Sequence, residues 1–153
     1  MRNSTICFVF NPEWKVLLCM KKRGFGEGKR NGAGGKQQEG ETIEETASRE
    51  LVEETAVDIP ASKLKKAWLI HFLRDGKPEW DQDTHIFSSR DYTWSFEETE
   101  EMRPQRWDTK ELPYDIMWED DKIWVPEVIK DNYFEYRFVF NEDNKIYKEE
   151  KII

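Results

Sequence analysis

Gly34-Gly35-Lys36-Gln37-Gln38-Glu39-Gly40-Glu41-Thr42-Ile43-Glu44-Glu45-Thr46-Ala47-Ser48-Arg49-Glu50-Leu51-Val52-Glu53-Glu54-Thr55-Ala56-Val57 is the stretch on which the reading of this chain turns. Thr42 followed three residues later by Glu45 has the form of a capping box, which predicts a helix from about Thr42 to Thr55. On that helix Glu50, Glu53 and Glu54 fall at i, i+3 and i+4, so three carboxylates share one face within a few ångströms of one another. Like charges this close repel and raise at least one carboxyl pKa unless a cation sits against them, which points to a hard divalent ion. Ile43, Ala47 and Leu51 run beside the acids at i, i+4 and i+8 and would seat the helix on a sheet, so the acids are held rigidly. A solvated acidic surface is the plain alternative for such a helix.

Upstream, Thr5 to Phe10 reads as a buried strand, stopped by the turn Asn11-Pro12-Glu13. Trp14 to Lys21 reads as a second strand that brings Lys21, Lys22 and Arg23 to a glycine-rich loop, Gly24-Phe25-Gly26-Glu27-Gly28. Such a loop lets backbone approach a ligand, and neighbouring cations suit a polyphosphate. Its bland reading is a flexible turn beside a solvated strand end. The glycines of Gly32-Ala33-Gly34-Gly35 would let a main-chain carbonyl near Gly34 turn toward metal ions.

Downstream, Pro60 to Lys63 reads as a link and Ala67 to Leu73 as a strand. Asp75-Gly76 marks a hairpin turn before a strand from Thr84 to Ser88. His71 and His85 lack metal-ligand spacing and read as structural. Glu97, Glu98, Glu100 and Glu101 form a run that is either a solvated loop or the source of a further metal ligand from across a cleft, with Glu101 the candidate. Trp118 stands next to Asp120 and Asp121, which combines a stacking surface with hydrogen-bonding groups of adjustable protonation and suits a purine edge. Asp120 could equally be the N-cap of a helix from about Asp121 to Asp131. Tyr133 to Phe140 and Lys145 to Glu149 read as a closing hairpin around Asn141-Glu142-Asp143-Asn144.

At 153 residues, 37% of them hydrophobic and 37% charged, the chain suits one folded domain spanning 1–153. A net charge of −8 argues against binding polymeric nucleic acid. A nucleoside triphosphate is still allowed, because bound metal and local cations reverse the field within one cleft. Cys7 and Cys19 lie in apolar runs and read as reduced core thiols. No signal peptide, lipidation motif or membrane-spanning run is present, which leaves the cytoplasm as the expected location. A monomer is the expected state.

The opening stretch resembles the Nudix box, G-x5-E-x7-R-E-U-x-E-E-x-G-U with U aliphatic. Gly35, Glu41, Arg49, Glu50, Leu51, Glu53, Glu54 and Val57 fit its spacing, and Ala56 stands where the family has Gly. A left-handed residue at that helix end costs a non-Gly side chain roughly 1 kcal/mol. The segments from Met20 to Gly26, Asn31-Gly32, Gly34 to Lys36, Glu39 to Glu44, Glu101 to Pro104 and Met117 to Asp121 are similar to the oxidised-purine nucleoside triphosphatase, or 8-oxo-dGTP diphosphatase, branch of that family. The first strand and the last twenty or so residues match less well, and Ser4 stands where the branch often has an aromatic.

The resemblance implies an α/β/α sandwich, a mixed curved sheet between the box helix and a C-terminal helix. It implies Mg²⁺-dependent hydrolysis, with Mn²⁺ as a possible substitute, of a small nucleoside triphosphate such as 8-oxo-dGTP or 2-hydroxy-dATP to monophosphate and pyrophosphate. Glu50, Glu53, Glu54, Glu101 and the main chain at Gly34 would hold metal. Glu53, Glu54 and Arg49 would serve catalysis, Arg49 by orienting Glu53. Asn31, Trp118, Asp120 and Asp121 would hold the base, and Lys21, Arg23 and Lys36 the phosphates. Competing readings are a Nudix hydrolase of a dinucleoside polyphosphate or nucleotide sugar, and a silent Nudix domain, whose mark would be a missing box carboxylate.

Overall fold

The computed structural model describes residues 2–90 and 95–153. β1 (Arg2–Val9) runs parallel to β5 (Gln82–Ser89), and β5 pairs antiparallel with β4 (Lys65–Arg74). β4 in turn runs parallel to β7 (Phe134–Phe140), against which β8 (Ile146–Lys151) closes an antiparallel hairpin. The result is a mixed five-stranded sheet in the order β1-β5-β4-β7-β8. Beside it β2 (Lys15–Lys21) is flanked antiparallel by β3 (Arg30–Asn31) and β6 (Met102–Asp108). Bridges Ser4 to Lys36, Cys7 to Ala33 and Phe10 to Val16 tie the two sheets.

Two-residue alternation decides which layer each side chain joins. From β1, Phe8 and Phe10 pack with Trp124, Val125 and Val128 of α2 (Asp121–Ile129), whereas Cys7 and Val9 pack with Ala47 and Leu51 of α1 (Ile43–Thr55). From β2, Val16 and Leu18 join the first cluster, Leu17 and Cys19 the second. The strands therefore lie between two helices, as the sandwich reading requires. Truncating Leu51, 1% exposed, to Ala would cost about 2–5 kcal/mol.

The expected strands are present, each displaced by one to three residues at an end. β6 is an addition, because the run that includes Arg103, Pro104 and Arg106 shows no alternation of its own. It is an edge strand on β2, where a proline that donates no hydrogen bond is tolerated. The Asp75-Gly76 turn is longer than a tight hairpin and includes a 3-10 turn, Pro78–Trp80. Cys7 and Cys19 are buried free thiols, and burial pushes Cys7 up to about 12. His71 bonds Asp83 and Glu135 at 2.6 and 2.7 Å and His85 meets Asn3 at 3.1 Å, in keeping with structural roles. Among the described residues no helix is long and apolar enough to cross a membrane.

Candidate functional site

The box helix starts and stops where its sequence says. The Thr42 hydroxyl accepts the Glu45 amide at 3.1 Å, and Ala56 closes the helix in the left-handed conformation at φ 65. Ala47 and Leu51 are buried, and the flank of the helix beside them, with Glu50 and Glu54, adjoins the loop at Gly34 and Gly35. A Cβ at Gly35 would lie 2.4 Å from Glu50 Oε1, so a larger residue there would displace this carboxylate.

Arg49 organises the acids. Its Nε and Nη2 donate to the two oxygens of Glu41 at 3.0 and 2.8 Å, its Nη1 to Glu50 at 2.9 Å and Glu53 at 3.2 Å, and Nη2 also to the Lys36 carbonyl. This fork, with help from the Gln38 amide and the Thr46 hydroxyl, holds Glu41 down to about 2. The sequence marked Glu41 as part of the pattern without giving it a task; its task is to anchor Arg49.

Glu54 is different. It is 8% exposed, has no cationic ion-pair partner among the described residues, and accepts the Gly34 amide at 2.7 Å. Burial pushes its carboxyl up to about 8; the charges of Glu50 and Glu101 add to this, while the Gly34 bond and Lys21 work against it. Burial also raises Glu50, against the pull of Arg49. Among the described residues no acid cluster converges as a finished cation cage, since Arg49 draws Glu50 and Glu53 to itself. The donor set nonetheless fits a hard divalent ion: two half-dry carboxylates side by side, one without a cation.

Glu101 is reached from both sides. The Lys22 amide donates to its carbonyl at 2.8 Å, while Lys22 Nζ holds the loop through Glu98 and the Thr99 carbonyl. Arg23, expected at the phosphates, instead pairs on the rim with Glu101 at 3.5 Å and Glu100 at 3.8 Å.

A cavity of about 370 Å³ joins the rest. One part is walled by Lys21, Gly34, Lys36 and Glu54, another by Asn31, Trp118, Asp120 and Asp121. Glu50, Glu53, Arg49, Arg23 and Glu101 stand outside its wall. The Asp120 carboxylate accepts Trp124 Nε1 at 2.7 Å and does not cap α2. Asp121 accepts the Trp118 amide at 2.9 Å through Oδ2, and its buried Oδ1 has no partner. Burial raises both carboxyls, Asp121 the further because Asp120 lies beside it. Arg90 donates to the Val128 and Ile129 carbonyls at the far end of α2 and fixes that helix.

Sequence reasoning missed Phe25, which stacks on Trp118 at 5.3 Å, and Lys29, whose Nζ lies 5.7 Å from that ring. The signal was available in the glycines around Phe25: at Gly26, φ is 84 and a Cβ would lie 2.8 Å from the Trp118 ring. It missed Arg74, Trp80 and Phe140 of the same cavity, which come from the end of β4, the turn between β4 and β5, and the end of β7.

One cavity thus joins a buried acidic pair beside an aromatic to Glu54, a half-dry carboxylate on the box helix. The chain belongs to the Nudix family: the NUDIX domain model matches residues 1–128. Hydrolases of this family use divalent metal ions. Over 142 residues it is 43% identical to the oxidized purine nucleoside triphosphate hydrolase of Mus musculus, covering 93% of this chain and 88% of that protein. The protein of the same name from Danio rerio is 44% identical over 136 residues, covering 89% and 85%. The crystal structure of a mutator MutT protein from Bacillus halodurans matches with a TM-score of 0.85 at 22% identity, covering 99% of this chain and 98% of that one.

Proposed function

We propose that the protein hydrolyses oxidised purine nucleoside triphosphates, 8-oxo-dGTP and 2-hydroxy-dATP, to the monophosphate and pyrophosphate, and so clears damaged precursors from the cytoplasmic pool. The observation that carries this reading is the Asp120–Asp121 pair, 4% and 1% exposed, beside Trp118 in the cavity that Glu54 also lines. The likeness to the mouse and zebrafish hydrolases supports it.

Mg²⁺, with Mn²⁺ as a substitute, would neutralise phosphate charge and polarise the phosphoryl oxygens. Glu50 and Glu54 are its principal ligands in this reading, with Glu53, Glu101 and the Gly34 carbonyl as further ones. Glu53, which Arg49 orients, would act as a further ligand or as the acceptor for the proton of the attacking water. Arg49 keeps its two-pronged hold on Glu41 and acts as a positioning residue. Lys21 and Lys36, in the cavity wall, meet the phosphates; Arg23 would join them on leaving Glu101. Trp118 stacks on the base, and Asn31, Asp120 and Asp121 read its edge. Two adjacent dry carboxyls share one proton, and either member can carry it, so the pair can present two hydrogen-bond patterns and accept an oxidised guanine and an oxidised adenine.

The monomeric state is supported at both edges of the five-stranded sheet. Lys148, Glu149, Glu150 and Lys151 charge the β8 edge, and the loop carrying Ala33 and Lys36 covers β1. Initial rates of pyrophosphate release test the substrate reading, with 8-oxo-dGTP, 2-hydroxy-dATP and dGTP at equal concentration and Mg²⁺ present. The expected result is that both oxidised nucleotides outrun dGTP. Faster turnover of a dinucleoside polyphosphate or nucleotide sugar in the same panel would overturn it.

A further inference from the structure

Strand register carries the cavity beyond the base residues. Ser4 is paired with Thr84, Gln82 with Phe72 and Arg74 with Phe140. With two-residue alternation these six side chains share one face of the five-stranded sheet, and all six line the cavity. The Arg74 guanidinium lies 5.0 Å from the Phe140 ring and 5.5 Å from the Trp80 ring, and it donates to Asn144 Oδ1. Among the described residues it forms no ion pair with a carboxylate. In a chain of net charge −8 an unpaired guanidinium, held between two aromatic rings with N–H donors to spare, is a feature to be explained.

Resting on the substrate reading above, we infer that Arg74 determines specificity by donating to the carbonyl oxygen that oxidation adds to the five-membered ring of guanine. Asp120 and Asp121 suit the donor-bearing edge of the six-membered ring. A purine gripped there turns its five-membered ring to another wall of the same cavity. Oxidation adds an acceptor there, O8, and turns N7 from an acceptor into an N–H donor, and Arg74, a donor only, answers the added oxygen. A guanidinium already ordered by Phe140, Trp80 and Asn144 loses little freedom in making that bond. The adjoining Ser4 and Thr84 hydroxyls, 2.9 Å apart, and Gln82 keep this part of the cavity polar.

The test compares 8-oxo-dGMP with dGMP by tryptophan-fluorescence titration without metal, and kcat/KM for the matching triphosphates with Mg²⁺. Arg74→Met keeps the apolar stem over the rings and removes the donors. It should reduce the preference for the oxidised nucleotide by about tenfold or more, a modest part of what a hydrogen-bonding site can discriminate. The loss should fall on 8-oxo-dGMP and on KM, with dGMP binding unchanged, and Arg74→Lys should recover part of it. An unaltered ratio in Arg74→Met, or an equal loss for both nucleotides, overturns the inference while the substrate reading stands. A wild-type protein with no preference for 8-oxo-dGMP overturns both. Should Arg74→Met not fold, Arg74→Leu, which also lacks donors, is judged by the same ratio.

Discussion

Glu54 keeps 8% of its surface in solvent, and the hydrogen bond that holds it comes from an uncharged amide, so without a cation it is poorly placed to be ionised at neutral pH. Glu54→Gln keeps the shape and removes the charge. Activity should fall at least on the order of 100-fold, the upper end of what even an outer-shell partner of a metal site costs. Turnover near wild type at saturating Mg²⁺ would remove Glu54 from that role. Asp120 invites a different substitution, because Asn can still accept the Trp124 indole N–H through its oxygen. Asp120→Asn should fold and should shift the 8-oxo-dGTP to 2-hydroxy-dATP turnover ratio by at least about tenfold, roughly 1.4 kcal/mol of discrimination. It should also flatten the pH dependence of that ratio, since the shared proton is gone. Equal loss on both substrates would reduce the pair to general electrostatics.

α1 ends on Ala56 at φ 65, with its amide on the Val52 carbonyl at 2.9 Å. Ala56→Gly should therefore stabilise the protein by about 1 kcal/mol, a rise in Tm of roughly 2–4 °C in a protein of this size, with activity kept. A Tm that stays level or falls in a thermal melt would mean that the gain in unfolded-chain freedom offsets the relieved strain. This helix was legible because everything that shapes it is local: the Thr42 cap, the apolar stripe and the spacing of the acids lie within one run. β6 was not, since its residues carry no alternation and take their place from β2. The cavity was half legible for the same reason. Asn31, Trp118, Asp120 and Asp121 sit in short motifs, whereas Phe25 depends on a loop folding back and Arg74 on the register of β4 against β7. Arg23 could be recognised as a cation near the site, but its pairing with Glu100 and Glu101 depends on a loop that follows β5.

Across the whole molecule two titrations act in the same direction. Burial opposes a charge on His71, but its bonds to Glu135 and Asp83 outweigh that and hold its pKa above the ordinary 6.5. The charged imidazole joins β4, β5 and β7, so its stabilisation is full below about 6.5 and is lost as pH rises through the folded value. Glu54 is also raised, from an ordinary 4.5 to about 8, so the fold favours its protonated form. That stabilisation is full below 4.5 and declines as pH climbs toward 8. The two groups share no hydrogen-bond partner, so their effects should add. The Tm of metal-free protein should fall as pH rises from 5 to about 8, with Glu54→Gln removing the part of the fall between about 4.5 and 8 and His71→Gln the part that sets in above about 6.5. His71→Gln should be less stable at pH 5, because it leaves Asp83 and Glu135 facing each other without a cation. Mg²⁺ should restore the alkaline side in the wild type and not in Glu54→Gln, since the ion stabilises the charged carboxylate that Gln lacks. Parallel pH profiles for the wild type and both variants would show that neither group governs the stability of this fold.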